Sequence, residues 1–256
     1  MPPNRAAHPT RPRVSEWHCP GQQSGWQEEQ PALALIELPS TGMDLRRLRG
    51  QELVARAGTA LLHGAHEVYG YASPTARPRR ATTIGLDDAL LDELGPSFRP
   101  GAVHTSARSA LLQWRLRQAP TDTLDRDELA LMLVESVLGD AGPARPAGPP
   151  PSPAWQRLAR ALDERLATGF GEALSLERLA QDCGASPFHA SRVYRRVTGS
   201  SLHRQLNRLR LREALFRLPD LRGRLTELAL DLGFSSHSHF SSAFRAEYGR
   251  TPSALG

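Results

Sequence analysis

The sequence predicts an α+β protein in which a small β-rich unit precedes an all-helical one. Three observations carry this. From residue 14 to residue 86 short apolar runs are broken by Gly and Pro, beyond Ser152 apolar residues recur at helical spacing, and residues 139–153 between them are dense in Gly and Pro. At 256 residues the chain has room for one large domain or two ordinary ones.

Residues 1–13 are rich in Pro and Arg and are expected to be a disordered tail. Strand-like runs follow at 33–38, 52–57, 59–62, 67–71 and 82–86, separated by Pro39, Gly42, Gly50, Gly58, Gly64, Pro74 and Pro78. That pattern suits a small antiparallel barrel or sandwich. Residues 87–94 switch to helical periodicity. A helix over 106–117 carries Ala107, Ala110, Leu111 and Trp114 on one face, and one over 124–138 carries Leu124, Leu131, Val134 and Leu138, capped by Thr123 or Asp125. The Gly/Pro-rich stretch then reads as a linker.

Past it, Trp155, Leu158, Leu162 and Leu166 form one helical stripe, and Leu176, Leu179 and Ala180 the next, behind Ser175 as N-cap. Ser186 caps a helix that starts at Pro187, a favoured first position, and turns Ala190, Val193, Tyr194 and Val197 inward. A longer helix spans 202–218 with Leu202, Leu206, Leu209 and Leu215 on one face. Helices over 225–232 and 236–248 follow, closed by Gly249 and Pro252.

One phrase in this helical half occurs twice. Ala180 stands four residues before Gly184, and Ala229 four residues before Gly233, each at the end of one apolar-periodic segment and just ahead of another. A helix-turn-helix needs that arrangement: the small side chain lets two helices cross closely, and glycine accepts the positive φ of the turn. The copies lie 49 residues apart, which points to two reading helices on one DNA duplex. The charge agrees. From Ser152 onward 16 Arg face 10 acidic residues, whereas before it 16 Arg face 17. All of the net charge of +5 therefore belongs to the half that holds the doubled phrase. Every basic residue is Arg, with no Lys, which a GC-rich codon supply explains without invoking function.

From about Ala154 to Ala254 the chain resembles the DNA-binding domain of the AraC/XylS family of transcription regulators. The tail carries most of the likeness, in Ala229-x3-Gly233-Phe234-x3-Ser238-x-Phe240-x3-Phe244-Arg245-x3-Gly249-x-Thr251-Pro252. The first half adds Leu179-Ala180-x3-Gly184-x-Ser186-x5-Arg192-x-Tyr194-Arg195. The resemblance implies seven helices forming two helix-turn-helix units joined by the long helix. Two positions depart from the family pattern: Ser242, where an Arg is usual, and Leu255-Gly256, where an aromatic-Arg pair is usual. The first departure implies a second unit that binds DNA more weakly than the first. Residues 14–95 also resemble the family's cupin-like effector domain, through Trp17-His18-Cys19-Pro20-Gly21, Glu28-Glu29, Gly58, His66-Glu67-Val68-Tyr69 and Ile84-Gly85-Leu86. The expected organisation is a tail (1–13), a cupin-like ligand-binding domain (14–95), a helical dimerisation or connecting region (96–140), a linker (141–153) and the double helix-turn-helix domain (154–256).

Within that domain the outward residues near each reading helix's N-terminus are the expected DNA contacts. In the first unit they are Pro187, Phe188, Ser191, Arg192 and Arg195, with Arg192 suited to a bidentate guanine contact or, alternatively, to a phosphate. Phe188 suits a thymine methyl or packing on a neighbouring helix. In the second unit they are His237, Ser238, Ser241, Ser242 and Arg245, with Ser236 as the cap. The implied partners are double-stranded promoter DNA and RNA polymerase, with a small-molecule effector and a homodimer as further expectations, and the resemblance favours activation.

An enzyme reading finds little support. His63, His66, Glu67 and His104 offer the residue types of a metal-binding cupin but not its spacing, so no metal or cofactor is expected. Cys19 beside His18 lacks a third orienting group for nucleophilic chemistry, and no catalytic residue is assigned. Cys19 and Cys183 make no disulfide framework, and Cys183 falls at a position expected to pack. No apolar run approaches the length of a membrane span, so the expectation is a soluble, cytoplasmic protein. The remaining alternative is a constitutive DNA-binding protein whose N-terminal part only dimerises.

Overall fold

The structure is a computed structural model. It describes residues 12–21, 25–73, 78–121, 123–142, 151–172, 174–221 and 223–255. Residues 1–11 of the tail expected at 1–13 and most of the Gly/Pro-rich linker lie outside these residues, while Arg13, expected in the tail, begins the first strand.

Nine strands occur among the described residues: β1 (Arg13–Cys19), β2 (Gln27–Glu29), β3 (Ala34–Thr41), β4 (Met43–Leu48), β5 (Gln51–Arg56), β6 (Thr59–His63), β7 (Tyr69–Ala72), β8 (Arg79–Leu86) and β9 (Gly101–His104). They form two antiparallel sheets, β1-β8-β3-β6-β9 and β2-β7-β4-β5, rather than the closed barrel offered as one expectation. Helices α1 (Asp88–Leu94), α2 (Ala107–Gln118) and α3 (Leu124–Ala141) cover the five-stranded sheet. Alternation along each strand sorts residues between the layers. Ile36, Leu38, Leu62 and Ile84 pack with Leu112, Leu116, Leu133 and Val137 of the helices. Leu61, on the opposite face from Leu62, packs with Leu48, Ala55 and Tyr69 in the other sheet.

The space between the sheets also holds charge. Buried Arg46 on β4 pairs with Glu37 on β3 and, at 2.9 Å, with Asp44, which in turn pairs with buried Arg79. Burial alone would raise the Glu37 carboxyl, but Arg46 and His63 beside it bring it down to about 2.

The helical half comprises α4 (Pro153–Gly169), α5 (Leu176–Asp182), α6 (Pro187–Thr198), α7 (Leu202–Arg217), α8 (Leu225–Asp231) and α9 (His237–Tyr248). Among the described residues this half has six α-helices and two short 3-10 turns, Leu218–Asp220 and Pro252–Ala254, rather than the seven helices that the resemblance implies. Two cores lie along α7. Leu162, Leu166, Leu179, Tyr194, Leu202 and Leu206 build one from α4 to the start of α7. Leu211, Leu215, Leu228, Phe240 and Phe244 build the other from the end of α7 through α8 and α9.

Helix α2 belongs to both halves of the molecule. Leu112 and Leu116 enter the core beneath the five-stranded sheet. Ala110 enters the core around α9, with Ala107, Leu111 and Trp114 packed against it. The face expected from the sequence is therefore the one turned to the helical half, and a second apolar stripe holds the sheet.

Candidate nucleic-acid interface

The doubled phrase folds the same way twice. The amide of Ala185 donates to the carbonyl of Ala180 at 2.9 Å, and that of Phe234 donates to the carbonyl of Ala229 at 2.9 Å. Both alanines are fully buried. Gly184 and Gly233 take φ of +66° and +79°, the left-handed region that a Cβ disfavours. Each turn feeds a 12-residue helix, α6 or α9. Ser186 accepts from the amide of His189, and Ser236 from that of His239, satisfying one of the free donors at each helix start. Each helix ends in a left-handed glycine, Gly199 or Gly249, whose amide donates to the carbonyl of Arg195 or Arg245.

Two joints hold the units together. The first is α7, whose 16 residues span roughly 24 Å at 1.5 Å per residue. The second is Arg210, which the sequence reading missed. From α7 it donates to the carbonyls of Phe170 and Glu172 beside the first unit, at 2.7 and 2.9 Å, and to that of Gly233 in the second unit's turn, at 2.8 Å. Gly233 is thus fixed twice over, by its φ and by the Arg210 guanidinium and the Gly171 carbonyl that crowd the place of a Cβ. Neither partner set is near in sequence, so no local pattern announces this staple.

On α6, Phe188 is 76% exposed, so its ring is not spent on the core. Arg192, Arg195 and Arg196 are exposed as well. Arg165 and Arg178 nearby are engaged by Asp182, but no carboxylate among the described residues pairs with those three arginines. Three unpaired guanidiniums on one helix make an anion-seeking surface. Arg192 lies 5.8 Å from the ring centroid of Trp155, which also meets His189 edge-on at 6.5 Å. Trp155 reads from the sequence as an ordinary stripe residue, yet it flanks the guanidinium and limits its range. Pro187 and Ser191 are half-buried, and Ser191 lies on the wall of an apolar groove with Leu176 and Leu202.

On α9, His237, Ser238, Ser242 and Arg245 are exposed and Ser241 is half-buried. His237 Nε2 meets Ser241 Oγ at 3.3 Å, and His239 Nδ1 meets Ser235 Oγ at 3.2 Å. The surface is polar, with one positive charge where α6 has three.

The N-terminal half does not gather the residues weighed as a metal set. His63 is buried, 3.6 Å from Glu37; Glu67 is held by Arg49 and the amide of Gly64; His104 is exposed at the end of β9. Among the described residues no three His, Cys, Asp or Glu side chains are placed to hold a metal ion, and no helix is long and apolar enough to cross a membrane. Cys19 is buried, with Arg79 Nη2 donating to its sulfur at 3.0 Å; Cys183 is half-buried against the first helical core.

A helix-turn-helix domain family matches residues 179–256. The regulatory protein SoxS of Salmonella typhimurium is 31% identical over 98 residues, which are 38% of this chain and 92% of SoxS. The helix-turn-helix transcriptional regulator GlxA of Rhizobium meliloti is 31% identical over 121 residues, 45% of this chain and only 37% of GlxA. Among solved structures, the C-terminal domain of AraT, a response regulator from Geobacillus stearothermophilus, is 25% identical over 41% of this chain and 84% of that one, with a TM-score of 0.35. With nearly the whole of SoxS matched and the doubled turn built alike in both copies, the chain belongs to the AraC/XylS family of DNA-binding transcription regulators.

Proposed function

We propose that the chain is a one-component regulator that reads two successive major grooves of promoter DNA and answers to a signal at its N-terminal half. The observation that carries this is the pair of matched reading helices held at the two ends of α7. Groove-to-groove distance on one face of B-DNA is about 34 Å, within reach of two units whose centres are separated by a helix of this length and whose reading helices lie beyond its ends. Pro187, Phe188, Ser191, Arg192 and Arg195 then face one groove, and His237, Ser238, Ser241, Ser242 and Arg245 the next. Arg192 is the principal base contact. The two sheets under α1–α3 serve as the cupin-like effector unit, α2 and α3 as the connecting and dimerising region, and the polar space between the sheets as the place for a small effector. Bound at a promoter, the regulator recruits RNA polymerase.

Footprinting on the DNA flanking the chain's own coding region tests this. Two protected segments one helical turn apart are expected for each monomer. Arg192→Ala weakens the first by about 1–3 kcal/mol, or roughly 5- to 150-fold, and leaves the second in place. One short protected segment, or binding that ignores salt, refutes the reading.

A further inference from the structure

The N-terminal half grips the two reading helices by different chemistry. At the eighth position of each 12-residue helix α9 has Phe244 and α6 has Tyr194, both fully buried. Phe244 sits in an aromatic row, 5.7 Å from Phe240 and 4.7 Å from Tyr248. That core is touched from the N-terminal side by apolar contacts of α2 alone among its cluster members. Tyr194 has a hydroxyl to satisfy, and it donates to Asp163 Oδ1 of α4 at 2.5 Å.

The same carboxylate oxygen accepts from Arg56 Nη2 at 2.9 Å. Arg56 is not in the helical half. It ends β5, an edge strand of the four-stranded sheet, and is only 2% exposed. With its amide oxygen turned to Arg56, buried Gln205 of α7 accepts from Nη1 and Nη2 at 2.6 Å. One guanidinium from the sheet thus ties together α4, α7 and, through Asp163, α6. The rest of the strand fits the same way: Glu52 pairs with Arg160, and Val54 clusters with Ala167. Residues 52, 54 and 56 share one face of a strand, and 160, 163 and 167 share one stripe of a helix. The grip is returned by Arg212 of α7. It donates to the Thr105 hydroxyl at 3.1 Å and to the Thr105 carbonyl, and it fills the space where Gly58, in the β5–β6 turn, would carry a Cβ.

We propose that Arg56 is a positioning residue for the first reading helix, so that the N-terminal sheet sets the pose of α6 and not that of α9. Hydrogen bonds to charged groups in a water-poor interface are directional and strong, whereas apolar contacts tolerate sliding. Removing Arg56 leaves the Asp163 carboxylate without its counter-charge and frees the acceptor that holds Tyr194. A displacement of β5 is therefore delivered to the first unit through three named side chains. The second unit has no hydroxyl at the equivalent position to receive it; its buried hydroxyl, Tyr248, stands one turn later and faces Arg212 of α7, not Arg56. This rests on the reading of α6 as a DNA-contacting helix, and the test separates the two.

Hydrogen exchange read by mass spectrometry on the full chain without DNA is the deciding measurement, comparing 187–198 with 237–248. In Arg56→Met the amides of 187–198 are expected to exchange at least about tenfold faster, with 237–248 unchanged. Arg56→Lys recovers part of the protection, because an ammonium reaches Asp163 but not Gln205 as well. Tyr194→Phe, which copies the second unit, speeds 187–198 alone, and adding Arg56→Met to it changes that segment little further. Equal acceleration of both segments makes Arg56 a general docking contact and overturns the proposal, as does no change in either. Should the Met variant fail to fold, the Lys and Phe variants give the same decision. Footprinting of the same variants then reads the consequence: weaker protection of the first segment only. A chain that protects no DNA refutes the proposed function, while the exchange pattern still decides for or against Arg56.

Discussion

The two helix-turn-helix units share a backbone plan and divide their side chains in opposite ways. Both have a buried alanine under the turn, a serine cap, a 12-residue helix and a left-handed glycine at its end. In α6 the interior is built from Ala190, Val193 and Tyr194, and the exterior carries three arginines. In α9 the interior holds Phe240, Phe244 and Tyr248, and Ser242 stands where α6 has Arg192. The second turn is also one residue longer, with Phe234 buried in it. Duplicating the backbone signals does not duplicate the role. One copy spends its bulk on packing, and the other spends its charge on the surface.

The sharpest way to break this contrast is at Phe240. Phe240→Ala empties a fully buried site in the second core and is expected to cost about 3–5 kcal/mol in urea unfolding of the full chain. A loss below about 1 kcal/mol means that the aromatic row is not what holds that unit. The helix caps come next. Ser186→Ala and Ser236→Ala should each cost about 1 kcal/mol, and by the same amount, since both serines accept the same i+3 amide. A clear inequality would show that the two starts are alike only in outline. The smallest effect is expected from Ser242→Arg, which gives α9 the charge that α6 has. Affinity should rise a few-fold at low salt, and the slope of log K against log salt should steepen by about 0.9 if the new guanidinium meets a phosphate. No change in slope places position 242 away from the DNA.

The helical half is legible in the sequence because its signals are local. An alanine four residues before a glycine, a serine before an apolar stripe and a glycine after it each specify a backbone conformation within a few residues. The sheets are harder to read. Met43-Asp44-Leu45-Arg46-Arg47-Leu48 looks like a polar loop, yet Asp44 and Arg46 point inward and are satisfied by Arg79 and Glu37 from other strands. An ion-paired interior inverts the usual alternation, and β4 disappears from view. β1 and β9 are edge strands with largely exposed side chains, so their pattern is weak too. At the candidate interface the exposed arginines follow directly from helical spacing. Arg210, Arg56 and the role of Trp155 do not, because their partners stand on other elements and, for Arg56 and Asp163, 107 residues away.

Helix α2 changes how the chain can be divided. The Gly/Pro-rich stretch looks like the natural place to cut, but the packing does not respect that seam: Ala107, Ala110, Leu111 and Trp114, which precede it, complete the core around α9, which follows it. A fragment beginning at Pro153 takes its reading helices along and leaves part of their foundation behind. The bare patch on such a fragment would be apolar and self-complementary to α2 of any intact copy, which makes exchange of that helix between molecules the foreseeable fate of a cut or strained chain.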